Sequence, residues 1–308
     1  MAQALQTIDP GSIDQRFARY AEQSRGAYAP NTMRAVRSDT AIFATWCTHA
    51  GRTYLPADAD DVALFIDVMG QTRKPATVAR YVASIDHLHR ALDLPPPGAG
   101  NAARLALRRL RRDKGVRQDQ APALRWQTIQ RAIGIMGDDL LALRDAALLC
   151  VAYDTFARAS ELCAFNVGDL EQDVDGATAF LRASKTDQEG EGDHRFIAPS
   201  TYARVAAWVR AARLEKTDPL FVPMGFNARN GRLAPDDVSA IFARRCGEKY
   251  SAHSTRVGAA QDALAAGAST GAIQQAGGWK SERMVLRYAG RIAAKESAAA
   301  MLAQFQGR

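Results

Sequence analysis

From about residue 12 to residue 113, apolar positions recur every three or four residues between strong breakers, which predicts a run of helices. Asn31, after Pro30, is read as the cap of a helix whose apolar face uses Met33, Val36, Ile42, Phe43 and Trp46. Arg34 and Arg37, three apart, share one face of it. Asp58, Asp60 and Asp61 mark the start of the next helix, with Val62, Phe65, Ile66 and Met69 as its core stripe. A third follows Pro75, with Val78, Tyr81, Val82, Ile85 and Leu88 inward and Arg73, Lys74 and Arg80 around its start. Pro95-Pro96-Pro97-Gly98 ends that helix. An arginine-rich helix comes next, its apolar stripe limited to Leu105, Leu107 and Leu110.

The pattern then lapses. Residues 113–122 are polar, with Gly115 and Pro122 and no apolar period, and read as a linker. Helical patterns resume over about 126–135, 139–153 and 158–165. Residues 177–183 and 194–198 look like two short strands around an acidic hairpin tip at 187–193, with Lys185 at its base. From Thr201 to Phe305 the chain is again mainly helical, apart from 219–235. At its end, residues 291–305 form an alanine-rich helical pattern with Ile292, Met301, Leu302 and Phe305 as the large apolar groups. The expected fold is mainly α with a small antiparallel β-sheet in the second domain. The expected division is a helical domain over 1–113, a linker over 114–122 and a catalytic domain over 123–308.

Composition narrows the class. The 308 residues, 47% hydrophobic and 24% charged, suit two globular domains. The longest apolar runs fall short of a bilayer span, and residues 1–6 lack the basic and apolar regions of a signal peptide, so a cytoplasmic protein without a membrane partner is expected. Cys47, Cys150, Cys163 and Cys246 form no C-x-x-C pair, and His87 and His89 point apart on a helix, so no metal site is expected. The net charge of +7 favours a polyanionic partner only weakly. Its distribution says more: Arg104, Arg108, Arg109, Arg111, Arg112, Lys114 and Arg117 stand against one acid, Asp113. Such a stripe neutralises phosphates and releases their counterions.

Six residues carry candidate chemistry: Arg158, Lys185, His253, Arg256, Trp279 and Tyr288. Cleaving a phosphodiester with a side chain requires countering charge on the non-bridging oxygens, deprotonating the nucleophile and protonating the leaving alkoxide. Guanidinium suits the first task because its planar fork bonds two oxygens and never deprotonates, so Arg158 and Arg256 could clamp the phosphate. His253, three residues before Arg256, could hydrogen-bond the phosphate or accept a proton, and Lys185 could donate one. Trp279 offers an indole N–H, and Tyr288 a phenol that would form a phosphotyrosyl ester. Each residue alone has a plainer explanation. A lone Tyr or Trp is usually core, an H-x-x-R usually a surface pair, Arg158 a partner for Glu161, and Lys185 a solvated lysine. It is their conjunction, in this order, that carries the reading.

Arg-Ala-Ser-Glu-Leu at 158–162, His-Ser-Thr-Arg-Val-Gly-Ala-Ala at 253–260, Gln-Ala-Gly-Gly-Trp at 275–279 and Tyr288 nine residues on resemble the tyrosine recombinase (phage integrase) family, most closely its Cre group. Leu88-His89-Arg90 and Arg108-Arg109-Leu110-Arg111 extend the resemblance into the first half. It implies a two-domain, C-shaped clamp on duplex DNA and conservative site-specific recombination through a covalent 3′-phosphotyrosyl intermediate, without ATP, metal or cofactor. By the same resemblance Tyr288 is the nucleophile, Arg158 and Arg256 the phosphate clamp, His253 and Trp279 phosphate hydrogen-bond donors, Lys185 the general acid, and Glu161 a supporting residue. The DNA-binding set is Arg34, Arg37, Arg73, Lys74, Arg80, Arg108, Arg109, Arg111 and Arg112. The implied partners are double-stranded DNA with inverted-repeat sites and further copies of the chain, a monomer in solution becoming a homotetramer on DNA. A type IB topoisomerase-like relaxase and a DNA-binding regulator with a decayed active site are the competing readings.

Overall fold

The structure, a computed structural model, describes residues 10–116, 119–182, 191–224, 231–295 and 297–308. The chain divides into two compact units, Met1–Gln118 and Asp119–Arg308.

The first unit holds α1 (Pro10–Gln23), α2 (Pro30–Ala50), α3 (Ala59–Thr72), α4 (Pro75–Ala91) and α5 (Asn101–Lys114). Helix α3 packs on α5 and α2 on α4. Phe43, Cys47, Val62, Phe65, Ile66, Val78, Tyr81, Val82 and Ile85 meet at the centre, with Phe43 edge-on to Phe65 at 5.0 Å. Asp58 caps α3, accepting from the Asp60 amide at 2.9 Å. Asn31 does not cap α2. Ala29 holds that position and Pro30 the first turn, while the Asn31 carboxamide accepts from Arg34. Proline needs no amide partner there, so the helix starts at Pro30, two residues earlier than a cap at Asn31 would allow. The buried stripe of α5 is also not the expected leucine stripe. Ala103, Ala106 and Leu110 face inward, and Leu105 lies 41% exposed. Small residues let α5 approach α3 closely: a Cβ on Gly70 would sit 2.8 Å from Leu110 Cδ1.

The second unit surrounds one central helix, buried throughout its middle from Arg144 to Ala152. In chain order it has α6 (Trp126–Gly134), α7 (Leu140–Asp154), α8 (Ala159–Ala164), β1 (Leu170–Asp173), β2 (Gly176–Leu181), β3 (Asp193–Ile197), α9 (Pro199–Ala212), α10 (Pro235–Cys246), α11 (Ala252–Ala265), α12 (Thr270–Gly277), α13 (Glu282–Lys295) and α14 (Ala298–Phe305). Helix α7 buries residues on every side, and Leu148, Leu149 and Val151 join Leu162, Phe165, Ile197, Trp208 and Phe242 in the core. The sheet is antiparallel in the order β1-β2-β3, with Ala179 opposite both Leu170 and Arg195. Strand β1 is additional to the two expected strands: Leu170-Glu171-Gln172-Asp173 carries no alternation and exposes three of its four residues. Asp193, expected in the hairpin tip, already pairs with Leu181. The tail pattern at 291–305 is broken: Ser297 caps a separate α14, its hydroxyl accepting from the Ala300 amide. No helix among the described residues is long and apolar enough to cross a membrane.

Candidate active site

Four segments of the second unit supply the site. Arg158 stands just before α8, at its N-cap rather than inside the helix as expected. Its amide donates to Glu161 Oε2 at 2.7 Å, and its guanidinium bonds the other carboxylate oxygen. Glu161 is buried, so one carboxylate fixes both ends of the arginine. The plain ion-pair reading of Arg158 therefore holds as well, and its side chain stays 25% exposed.

Helix α11 carries His253 and Arg256 one turn apart. Arg256 is only 2% exposed, which excludes a surface role. Its guanidinium donates to the Phe156 carbonyl and, at 2.9 Å, to the Gly277 carbonyl. Phe156 lies in the left-handed region at φ 51°, a strained conformation for a large side chain that occurs at the turn between α7 and α8. Burial, then repulsion from Arg158, pushes Arg256 down to about 10, which leaves it charged at neutral pH.

Helix α12 ends on Gly278 in the left-handed conformation at φ 59°, and the amide of Trp279 closes back on the Gln274 carbonyl at 3.0 Å. This turn lays the Trp279 ring 4.8 Å beneath Arg256 and edge-on to Phe156 at 6.0 Å. Trp279 is also core, since it packs with Ala259, Leu264, Ile273 and Val285. Helix α13 then brings Tyr288 back. Its ring lies 5.5 Å from Trp279 and 5.6 Å from His253, and Gln261 of α11 donates to its backbone carbonyl at 3.0 Å. His253 titrates below its ordinary value, first because the protein desolvates the cation, then because Arg256, Arg158 and Arg287 repel it. Neutral imidazole thus faces the phenol.

The structure brings Arg158, Glu161, His253, Arg256, Trp279 and Tyr288 into one unit, and links Arg256, Trp279, Tyr288 and His253 through successive contacts. Lys185 lies outside the described residues. Sequence reading passes over the Phe156 carbonyl, for which no motif signals, and Gln261, whose only signal is its place one turn after Val257 on a helix already chosen. It also does not explain Gly258, where a Cβ would sit 1.9 Å from the Leu124 carbonyl.

The basic residues belong to the first unit. Arg34 and Arg37 are exposed on α2, Arg73 and Lys74 precede α4, and Arg108, Arg109, Arg111 and Arg112 cover the outer face of α5. Some of them are engaged within the unit: Arg80 lies 3.0 Å from buried Asp39, Arg109 3.3 Å from Asp67, and Arg34 donates to Asn31.

The phage integrase family matches residues 122–294. Recombinase Cre of Escherichia phage P1 is 27% identical over 299 residues, 86% of this chain and 85% of that protein. An integrase/recombinase XerD homologue of Selenomonas ruminantium is 28% identical over 278 residues, 84% of this chain and 81% of its own. Among solved structures, the Tn1549 transposon integrase in complex with transposon right-end DNA shares the fold with a TM-score of 0.63 at 15% identity, covering 93% of this chain and 99% of that one. The chain therefore belongs to the phage integrase family and is an enzyme of the tyrosine-type site-specific recombinase class.

Proposed function

We propose that the protein cleaves and rejoins duplex DNA through a covalent 3′-phosphotyrosyl intermediate, without ATP or metal. One observation carries this most directly: the Tyr288 phenol lies against neutral His253 and against Trp279, whose ring underlies the buried cation Arg256. The Tyr288 oxygen attacks phosphorus, and its proton passes to His253. Arg158 and Arg256 hold the non-bridging oxygens, with a further hydrogen bond from the Trp279 indole. The bond from phosphorus to the 5′ oxygen breaks, and Lys185 protonates that oxygen. Attack by the 5′ hydroxyl of a second strand reverses the chemistry and frees the phenol. The number of phosphodiester bonds is conserved, so no nucleotide is hydrolysed.

Duplex DNA with inverted-repeat sites is the proposed partner. The exposed arginines of α5 support it, as does the DNA complex of the transposon integrase. A homotetramer on two sites is proposed from the tail. Met301, Leu302 and Phe305 are 66%, 49% and 90% exposed on α14, an apolar face that a second copy would cover. Deleting residues 291–308 should keep single-site binding and abolish synapsis. Tetrameric synapses formed by the truncated protein in light scattering would remove the tail from assembly.

The chemistry itself is tested by incubating the full chain with duplexes carrying the inverted repeats near its gene, in EDTA and without nucleotide. A denaturation-resistant protein–DNA adduct, followed by exchange of strands between two sites, is the expected result. Relaxation of any supercoiled DNA without exchange would favour the topoisomerase reading, and absence of an adduct the decayed regulator.

A further inference from the structure

Strand β3 alternates exposed and buried positions, and at one buried position it places a cation, Arg195, which is 5% exposed. Its Nη1 donates to the Gln275 carbonyl at 3.2 Å and to the Ala276 carbonyl, and its Nη2 pairs with Asp193 at 2.7 Å. These carbonyls end α12, where the negative pole of the helix favours a cation, and the Gln275 carbonyl also accepts from the Gly278 amide at 3.1 Å. The next carbonyl along, that of Gly277, belongs to Arg256. Two arginines from different elements therefore grip one turn, and the residue that leaves this turn is Trp279. Gly278 confirms how closely the guanidinium is built in: a Cβ there would lie 2.4 Å from Arg195 Nη2.

Burial lowers the affinity of Arg195 for its proton; the carboxylates of Asp193 and Glu161 offset part of this, while the charges of Arg158 and Arg256 add to it. Its Nε–H has no hydrogen-bond partner among the described residues. A hydrocarbon of the same length would fill this space without the desolvation cost of a buried charge. What a hydrocarbon lacks is the ability to hold two helix-end carbonyls.

We propose that Arg195 is a positioning residue, which fixes the α12 turn so that Trp279 and Arg256 present one preformed surface to the phosphate. The inference rests on the phosphotyrosyl reading given above. Arg195 acts through Trp279, and loss of its grip leaves DNA affinity intact while slowing the chemical step. Misplacement of a transition-state group by about 1 Å can cost on the order of 10²-fold.

The test measures equilibrium DNA binding and single-turnover cleavage by the full chain bearing Arg195→Met, Arg195→Lys, Trp279→Phe or Arg195→Met with Trp279→Phe. Expected are a Kd within about two-fold of the parent and cleavage slowed on the order of 10- to 10²-fold in Arg195→Met. Arg195→Lys, which keeps a donor for one carbonyl, should recover part of the rate. Adding Trp279→Phe to Arg195→Met should slow cleavage far less than it does in the parent, because both changes disable one unit. Parent-like cleavage by Arg195→Met, or rate losses that multiply in the double variant, would overturn the proposal. If Arg195→Met does not fold, Arg195→Lys carries the same comparison. No adduct from the unaltered chain would instead overturn the phosphotyrosyl reading itself.

Discussion

The guanidinium of Arg256 lies 4.8 Å over the ring of Trp279, and its two arms end on the carbonyls of Phe156 and Gly277. One side chain thereby joins three segments: the turn between α7 and α8, helix α11, and the turn after α12. Its charge is held in place by protein before any phosphate arrives, which is what electrostatic stabilisation of a transition state requires. Arg256→Lys keeps the charge and loses both the planar fork and the stacking. Single-turnover cleavage should fall by on the order of 10²-fold or more. A near-parental rate would make Arg256 a structural strut.

Gly258 is needed for a different reason. A methyl at this position would sit 1.9 Å from the Leu124 carbonyl and 2.9 Å from the Arg125 amide nitrogen, and backbone cannot step aside as a flexible side chain can. The same crossing is held by the Leu124 amide, which donates to the Ser254 carbonyl at 2.9 Å. Gly258→Ala should therefore destabilise the second unit by about 3 kcal/mol, the upper range for overpacking a close contact. Differential scanning calorimetry would register this as a lower unfolding temperature. An unchanged midpoint would mean that α11 and the segment before α6 separate at little cost.

The pH dependence follows from His253. Its imidazole titrates below 6.5, so in the free enzyme it is neutral above that pH and accepts a proton only in that form. Single-turnover cleavage at subsaturating DNA should stay level from neutrality down to about 6.5, the ordinary imidazole value, and decline as pH falls through the depressed one. Arg287 is one of the cations that repel the protonated ring. Arg287→Ala should raise the His253 pKa and move the acid limb to higher pH, visible by NMR titration of the ring. A limb that stays in place would show that Arg287 does not act on this imidazole.

Arg108, Arg111 and Arg112 are exposed on α5, and Arg109 is exposed beside Asp67. Replacing all four with alanine should weaken binding to every duplex alike. The slope of log K against log salt should become shallower by roughly 0.9 for each DNA phosphate that the variant no longer neutralises. The same slope in the variant would place this face away from DNA.

The fold is legible wherever burial follows a period. Val62, Phe65 and Ile66 on α3 and Val78, Tyr81, Val82 and Ile85 on α4 are buried as their spacing requires. Alanine weakens the signal in α5, where Ala103 and Ala106 form the contact face only because α3 supplies the bulk. Strand β1 leaves no trace, since its pairing with β2 is made by backbone bonds that polar side chains neither report nor oppose. In the site, the family motifs name side chains and not their supports. The Phe156 carbonyl and the grip of Arg195 on α12 depend on which segments meet, information that spacing along one chain does not contain.

The central claim is that Tyr288 becomes covalently joined to DNA. The most direct measurement digests the trapped adduct with protease and nuclease and locates the modified residue by mass spectrometry, with the Tyr288→Phe chain run in parallel. The account predicts a nucleotide remnant on the Tyr288 phenol and no adduct from Tyr288→Phe. It also predicts nearly unchanged DNA binding by that variant, because one hydroxyl adds little to a large polar interface. A remnant on any other residue, or an adduct that survives Tyr288→Phe, would contradict it.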